Sequence, residues 1–150
     1  MKIVLQRVKK AAVKVNQQVI AQIGPGVCLL VGVEKGDSET VINYLARKVA
    51  ELRIFPDQQG KMNLSLLDLN REVLVVSQFT LAASIKKGRR PSFDRAEKPE
   101  RARQIYEKFI ENLRAWGLKV QTGQFQALME VDLINDGPVT FILEKRAEGN

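Results

Sequence analysis

The chain has 150 residues, of which 45% are hydrophobic and 27% charged, a composition typical of a folded globular domain. Its longest apolar run, residues 27–31, is too short to span a membrane, and its first residues do not form a signal peptide, so we expect a cytoplasmic protein. The net charge is +7, histidine is absent and cysteine occurs once. These counts exclude Ser-His and Cys-His nucleophilic pairs and zinc sites built on histidine or several thiolates.

Eight segments alternate between apolar and polar residues or are apolar throughout, which predicts β-strands. Cys28 lies in one of the apolar segments and is expected to be a buried, unreactive thiol. The predicted strands are residues 2–8, two strands within 11–23, and residues 27–33, 72–79, 118–122, 127–135 and 139–145.

Two segments have apolar residues at helical spacing. Asp37 or Ser38 can cap a helix that continues to Leu52, and a second helix follows Pro99. Because strands mostly follow strands, we predict a single compact α/β domain of the α+β type over residues 1–150. Its sheet should be largely antiparallel and barrel-like, with two main helices packed on it.

A long, polar and basic connection occupies residues 82–93, and connections of this length are often functional. Between residues 86 and 103 there are eight basic residues and three acidic ones. This local excess is either a solvated loop and helix face or a patch that contacts nucleic-acid phosphates. The loop at residues 86–90 is the first candidate for such contacts.

The buried strand at residues 72–79 ends in a polar run, Ser77, Gln78, Phe79 and Thr80. The polar groups either satisfy the backbone of the following loop or form a functional site at a strand end. Thr80 is a weak nucleophile because no histidine is present to activate it. Backbone amides near Phe79 and Thr80 can instead form an oxyanion hole, which needs only the correct geometry.

Residues 135–140, Asn-Asp-Gly-Pro-Val-Thr, have the pattern of a hairpin turn between the last two predicted strands. Gly137 permits unusual dihedral angles, and Pro138 donates no hydrogen bond to a ladder. Only about 5–6% of X-Pro bonds in folded proteins are cis, so the pattern alone favours a trans bond. In the strand before this turn, Met129 lies on the apolar face and is predicted to fill the core.

Taken together, these motifs resemble those of the bacterial D-aminoacyl-tRNA deacylases. The likeness extends over nearly the whole chain, from MKIVLQRV through GDS, SQFTLAA, KKGRRPSF and QTGQF to NDGPVTF. The resemblance implies hydrolysis of the ester between a D-amino acid and the terminal ribose of tRNA, and removal of glycine from alanine tRNA. It also implies tRNA as the partner, a homodimer with both active sites at the interface, and no metal or other cofactor.

The resemblance also implies roles for individual residues, including a role for Met129 that differs from core filling. Gly137 and Pro138, joined by a cis bond, would reach into the partner's pocket as a chirality filter that rejects L-aminoacyl-tRNA, with Arg7 as a buttress. The pocket that holds the scissile ester would consist of Ser77, Gln78, Phe79 and Thr80. The terminal adenosine would be bound by Phe125 and Met129.

Three alternatives remain open at this stage. One is a related proofreading enzyme whose Gly-Pro bond is trans and which accepts L-alanine. Another is a non-catalytic RNA-binding protein that uses the basic segment at residues 86–103. A purely structural dimer leaves both polar motifs unexplained. Thr80 is either a nucleophile or a positioning group, and we favour the second role.

Overall fold

The computed structural model describes residues 1–148 as an α+β domain with a nearly closed, barrel-like sheet. The main sheet contains β1 (Lys2–Val15), β2 (Gln18–Ile23), β3 (Gly26–Gly32), β6 (Glu72–Ser77), β7 (Lys119–Thr122) and β8 (Glu130–Glu144). A separate short hairpin contains β4 (Phe55–Pro56) and β5 (Met62–Leu64). The helices are α1 (Glu39–Glu51), α2 (Leu66–Leu69) and α3 (Pro99–Ala115), and a 3₁₀ turn covers Phe79–Ala82.

The sheet is nearly closed because β1 is long enough to pair with three other strands. Its first half pairs with β3 as far as Val8, and its second half pairs with β2 from Ala11 onward. On its other edge β1 pairs with β8, and all three of these pairings are antiparallel. The β3–β6 and β6–β7 pairs are parallel, so the predicted, largely antiparallel sheet is a mixed one. The sheet remains open between β2 and β7. There the backbone amide of Gln22 on β2 donates to the side-chain carbonyl of Gln121 on β7 at 3.2 Å.

Two apolar clusters hold the fold together. The larger one lies between the sheet and helices α1 and α3, whose apolar stripes face it as the helical spacing predicted. Phe109 of α3 is its largest fully buried side chain. The smaller cluster fills the barrel and includes Cys28. Burial raises the pKa of the Cys28 thiol to about 12, so this thiol stays protonated at neutral pH, as expected for an inert core residue.

Two predicted breaks between strands are wrong, and both lie in the β1–β8 pair. Residues 2–15 form one strand, although exposed Lys9 and Lys10 interrupt the apolar alternation there. The strand continues because β8 lies opposite it on both sides of these lysines, with irregular register between Gln6 and Lys10.

The hairpin turn predicted at residues 135–140 is also wrong, because β8 runs without interruption through this segment. Pro138 has no backbone N–H group to donate to a strand ladder, and the Asn135 side chain forms hydrogen bonds across this segment instead. Its carbonyl oxygen accepts from the amide of Val139 at 2.8 Å, and its amide donates to the hydroxyl of Thr140 at 2.9 Å. The Gly137–Pro138 peptide bond is cis.

Three further local features complete the fold. The β4–β5 hairpin is followed by the four-residue helix α2. Ser65 and Asp68 form a capping box that starts α2. Ser38 is the N-cap of α1, while the Asp37 carboxylate accepts from the amide of Glu34. No helix in residues 1–148 has the length and apolarity needed to cross a membrane.

Candidate active site

The polar end of β6 turns sharply into the 3₁₀ turn, which we call the 79–82 turn. The amide of Gln78 donates to the carbonyl of Val31 at 2.8 Å, which fixes the start of the turn to the end of β3. Gly32 permits this close approach. A Cβ atom at position 32 would lie 2.8 Å from the Cβ of Leu81 and 3.0 Å from the carbonyl oxygen of Gln78. The turn therefore packs directly on glycine backbone.

The first two amides of the 79–82 turn are free to bind a ligand. The amide of Leu81 donates to the carbonyl of Gln78 at 3.2 Å, and that of Ala83 donates to the carbonyl of Thr80 at 3.1 Å. Within residues 1–148, the amides of Phe79 and Thr80 have no acceptor. Two adjacent free N–H groups beside a strand end have the form of an oxyanion hole.

The Thr80 hydroxyl is exposed and has one side-chain neighbour in hydrogen-bond distance. The side-chain amide of Gln78 donates to Thr80 Oγ1 at 2.6 Å. An amide is not a general base, so this contact orients the hydroxyl without activating it as a nucleophile. Ser77, the last residue of β6, is half-buried next to Gln78.

Phe79 connects the turn to the basic loop. Its side chain is 60% exposed, and its ring lies 5.3 Å from that of Phe93, with a tilt of 49° between the rings. Ser84 and Ser92 exchange backbone hydrogen bonds of 2.7 and 2.8 Å, which close the loop that carries residues 86–90. The basic loop therefore begins and ends beside the 79–82 turn.

Phe125 and Met129 lie in the loop between β7 and β8, which leaves the sheet at the same end as the 79–82 turn. The amide of Gly123, which opens this loop, donates to the carbonyl of Val75 on β6 at 2.9 Å. The ring of Phe125 lies 5.6 Å from that of Tyr106. Met129 is half-buried against the barrel cluster, in agreement with its predicted core role, and its sulfur lies close to Gly123.

Arg7 holds the Gly137–Pro138 segment from one side. Its Nε donates to the carbonyl of Asp136 at 3.1 Å, and its Nη1 donates to the carbonyl of Ile54 at 2.7 Å. The Arg7 side chain is mostly buried, whereas Gly137 and Pro138 are exposed. A bridging guanidinium therefore fixes an exposed backbone segment to the chain that follows α1.

Within one chain, the 79–82 turn and the Gly137–Pro138 segment lie at different levels of the sheet. The turn packs on Gly32, which pairs with Lys2 of β1. The Gly-Pro segment lies opposite Arg7, five residues further along β1. At about 3.3 Å per residue, five residues correspond to roughly 17 Å along the strand. Additional separation comes from β1 and β3, which lie between β8 and β6.

The family model described as D-Tyr-tRNA(Tyr) deacylase matches residues 4–144 of the chain. The chain belongs to this deacylase family. A D-aminoacyl-tRNA deacylase of Symbiobacterium thermophilum is 53% identical over 141 residues, which cover 94% of this chain and 93% of the relative. A D-aminoacyl-tRNA deacylase of Picosynechococcus sp. is 52% identical over 149 residues, which cover 99% of both chains.

Two solved structures match the deacylase fold seen here. The c-Myc DNA unwinding element binding protein is 41% identical, with a TM-score of 0.92 over 98% of this chain and 100% of the other. A probable eukaryotic D-amino acid tRNA deacylase has a TM-score of 0.82 over 95% and 97% of the two chains. At 17% identity, the second match supports the fold alone.

The prediction of an enzyme of the D-aminoacyl-tRNA deacylase family is thus confirmed. Sequence reasoning missed two residues that shape the site of this deacylase, Gly32 and Phe93. Gly32 lies near the end of a buried apolar strand, next to Val33, a pattern that gives no sign of a close backbone approach. In residues 1–148, no group of three or more acidic or cysteine side chains lies close enough to hold a metal ion.

Proposed function

We propose that this chain hydrolyses the ester of D-aminoacyl-tRNA and of glycyl-tRNA(Ala) as a homodimer. Each active site would combine the 79–82 turn of one chain with the Gly137–Pro138 segment of the other. The observation that carries this proposal is the separation of the two segments within one chain, roughly 17 Å along the strands. A second copy of the chain provides a way for them to meet. We also propose a cytoplasmic location, since tRNA is the substrate.

The outer side of β8 supports the dimer. In the described residues, β8 pairs only with β1, so its other edge is free along 15 residues. Exposed free edges with apolar side chains tend to associate with another chain. Ile142 is 69% exposed on this strand, and Ile134 and Phe141 are also exposed. A contact that buried this surface would bring Gly137 and Pro138 into the interface.

The proposed chemistry uses backbone amides of one chain and a hydroxyl of the substrate. The ester carbonyl oxygen would accept from the amides of Phe79 and Thr80, which stabilise the negative charge that develops on this oxygen. Water attacks the carbonyl carbon, and the bond between that carbon and the ribose oxygen breaks. The proton from water passes to the leaving ribose oxygen with help from the neighbouring 2′-hydroxyl. An aminoacyl ester is reactive enough for orientation and charge stabilisation to suffice.

Selectivity in this proposal works by exclusion. The exposed backbone at Gly137 and Pro138 would lie where an L side chain projects, so an L-aminoacyl ester could not enter. Glycine has no side chain to exclude and would be accepted with D-amino acids. Phe125 and Met129 would bind the terminal adenosine, since both lie at the same end of the sheet as the 79–82 turn.

The decisive experiment compares aminoacyl-tRNAs in the presence of EDTA. We expect the wild-type protein to release D-tyrosine from D-Tyr-tRNA and glycine from Gly-tRNA(Ala), with release of L-tyrosine at least about 100-fold slower. Equal rates on D-Tyr-tRNA and L-Tyr-tRNA would disprove the filter. Rapid cleavage of L-Ala-tRNA would favour the L-alanine-tolerant enzyme, and tRNA binding without release would favour a non-catalytic protein.

Thr80 is expected to act as a positioning group. Because Gln78 donates to its hydroxyl and no general base in residues 1–148 lies beside it, Thr80→Ala should retain measurable activity, with a loss on the order of tenfold. Thr80→Ser keeps the hydroxyl and should lose less. The measurement is single-turnover release of D-tyrosine, with tRNA binding measured in parallel. Complete loss in Thr80→Ala with normal tRNA binding would instead identify a nucleophile.

The basic loop at residues 86–90 is expected to contact tRNA phosphates. It is exposed, and it is anchored beside the proposed site by the Ser84 and Ser92 hydrogen bonds. A triple variant that replaces Lys87, Arg89 and Arg90 with glutamine should bind tRNA more weakly. The plot of the logarithm of the binding constant against the logarithm of the salt concentration should become less steep by about 2 to 3, because each lost contact accounts for about 0.7–0.9 of the slope. An unchanged slope and affinity would exclude this loop.

A further inference from the structure

A second basic surface, which the proposed chemistry does not use, lies on the outer side of α1. It is an open groove of about 620 Å³. Three of its α1 residues, Tyr44, Lys48 and Glu51, follow the helical repeat and lie on one exposed face. The residues that line the groove are Tyr44, Arg47, Lys48, Glu51, Leu52 and Arg53.

The charge of this α1 groove is predominantly positive, with three cations and one carboxylate in its lining. Arg47 is paired with Glu51 at 3.1 Å. Lys48 has no carboxylate within ion-pair distance in the part of the chain that the structure describes. The Nε of Arg53 donates to the carbonyl of Asn63 at 2.8 Å, which orients the guanidinium and leaves its terminal amino groups available. The lining therefore favours an anionic ligand.

Tyr44 places an aromatic ring among these cations. The ring is flanked by two ammonium groups, with Lys48 Nζ 5.8 Å and Lys145 Nζ 5.0 Å from its centre. Tyr44 is 45% exposed, and its hydroxyl has no hydrogen-bond partner among residues 1–148. Cations that bind phosphates, interleaved with an exposed aromatic ring that can contact a base or sugar, are typical of nucleic-acid surfaces.

The α1 groove is linked to the Gly137–Pro138 segment through Ile54 and Arg7. Arg53 in the groove precedes Ile54, whose carbonyl accepts from Arg7. Arg7 in turn donates to the carbonyl of Asp136, the residue before Gly137. A strand of nucleic acid that enters the proposed pocket can therefore continue along α1. Lys48 lies in the last turn of α1, and Arg53 follows the end of the helix by two residues.

We propose that the α1 groove binds backbone phosphates of tRNA close to its esterified 3′ end. The identity of the ligand rests on the proposed function, whereas the anion-binding character rests on the lining alone. Lys48 and Arg53 contact phosphate oxygens, and the Tyr44 hydroxyl or ring contacts the nucleotide between them. The groove is distinct from the basic loop at residues 86–90, which lies beside the 79–82 turn.

The test measures binding of uncharged tRNA between 50 and 200 mM salt, the range over which phosphate contacts dominate affinity. The groove variant carries Lys48→Gln and Arg53→Gln. The control variant carries Lys108→Gln and Lys119→Gln, which remove two exposed cations outside the groove. We expect the groove variant to bind tRNA at least about tenfold more weakly at 50 mM salt. Its plot of the logarithm of the binding constant against the logarithm of the salt concentration should be less steep by roughly 1.4 to 1.8. The control variant should retain the wild-type slope.

Wild-type affinity and slope in the groove variant would overturn the proposal, and so would an equal loss in the control variant. Poly-glutamate serves as an acidic-peptide probe, and loss of poly-glutamate binding with wild-type tRNA binding in the groove variant would also overturn it. Because the assay uses uncharged tRNA, it is independent of catalysis. Wild-type protein that binds tRNA through the groove but releases no D-tyrosine would disprove the proposed function alone. Release of D-tyrosine with unaltered binding by the groove variant would disprove the groove alone.

Discussion

Replacing Gly32 with alanine is expected to slow the release of D-tyrosine from D-Tyr-tRNA by a factor on the order of 100 to 1,000. The new Cβ would lie 2.8 Å from the Cβ of Leu81 and 3.0 Å from the carbonyl oxygen of Gln78, so the 79–82 turn must move. This movement displaces the amides of Phe79 and Thr80 from the position in which they would bind the ester oxygen. Single-turnover kinetics on D-Tyr-tRNA measures the effect.

Gly24→Ala is the matched control for this substitution. In the described part of the chain, a Cβ at position 24 meets only the Glu72 carboxylate, at an ordinary 3.5 Å, so activity should stay within about twofold of wild type. Thermal unfolding of both variants shows whether Gly32→Ala remains folded. Full activity in a folded Gly32→Ala protein would remove the 79–82 turn from the catalytic machinery. A loss of activity that appeared only as weaker tRNA binding would have the same consequence.

Local periodicity was sufficient to predict most elements of this fold. The apolar stripes of α1 and α3, the buried strand that contains Cys28, and the strand that starts at Glu72 are all present. In each of these elements, burial against one or both of the two apolar clusters produces the pattern that is visible in the sequence. The long strands β1 and β8 differ, because Lys9 and Lys10 in one and Pro138 in the other interrupt the alternation. Their continuity depends on pairing between residues more than 100 positions apart, which no local window contains.

The residues of the candidate site also fall into those that the sequence predicted and those that it did not. The polar run at Ser77 to Thr80 stands out because it interrupts an apolar strand, and a free-amide site was predicted there. Gly32 and Phe93 gave no such signal, since their roles come from contacts with Leu81 and Phe79 that form only in the folded chain. The α1 groove was missed for another reason. Its cations are spread over a helix that also carries Glu51, so no run of basic residues marks it in the sequence.

Gly137→Ala is expected to slow the release of D-tyrosine by a factor on the order of 100, since a displacement of about 1 Å can have this effect. Gly137 has a φ of +134°, and an added Cβ would lie 2.7 Å from Val139 Cγ2 and 3.3 Å from Arg7 Nη2. The exposed backbone of this segment must therefore shift. The control is Gly117→Ala, where φ is +86° and no atom of residues 1–148 lies within 4 Å of the new Cβ. It should lose stability on the order of 1 kcal/mol and retain activity.

The two slow variants together test whether each site is built from two chains. Gly32→Ala damages the turn but leaves the Gly-Pro segment intact, and Gly137→Ala does the reverse. In a mixed dimer with shared sites, one site carries both defects and the other carries neither. After random exchange of chains, half of the dimers are mixed and each has one intact site, so activity should rise to about a quarter of the wild-type value. If each site lies within a single chain, every site carries one defect and mixing restores nothing. Size-exclusion chromatography with differently tagged chains verifies that exchange has occurred. If activity is not restored in verified mixed dimers, the shared site is refuted.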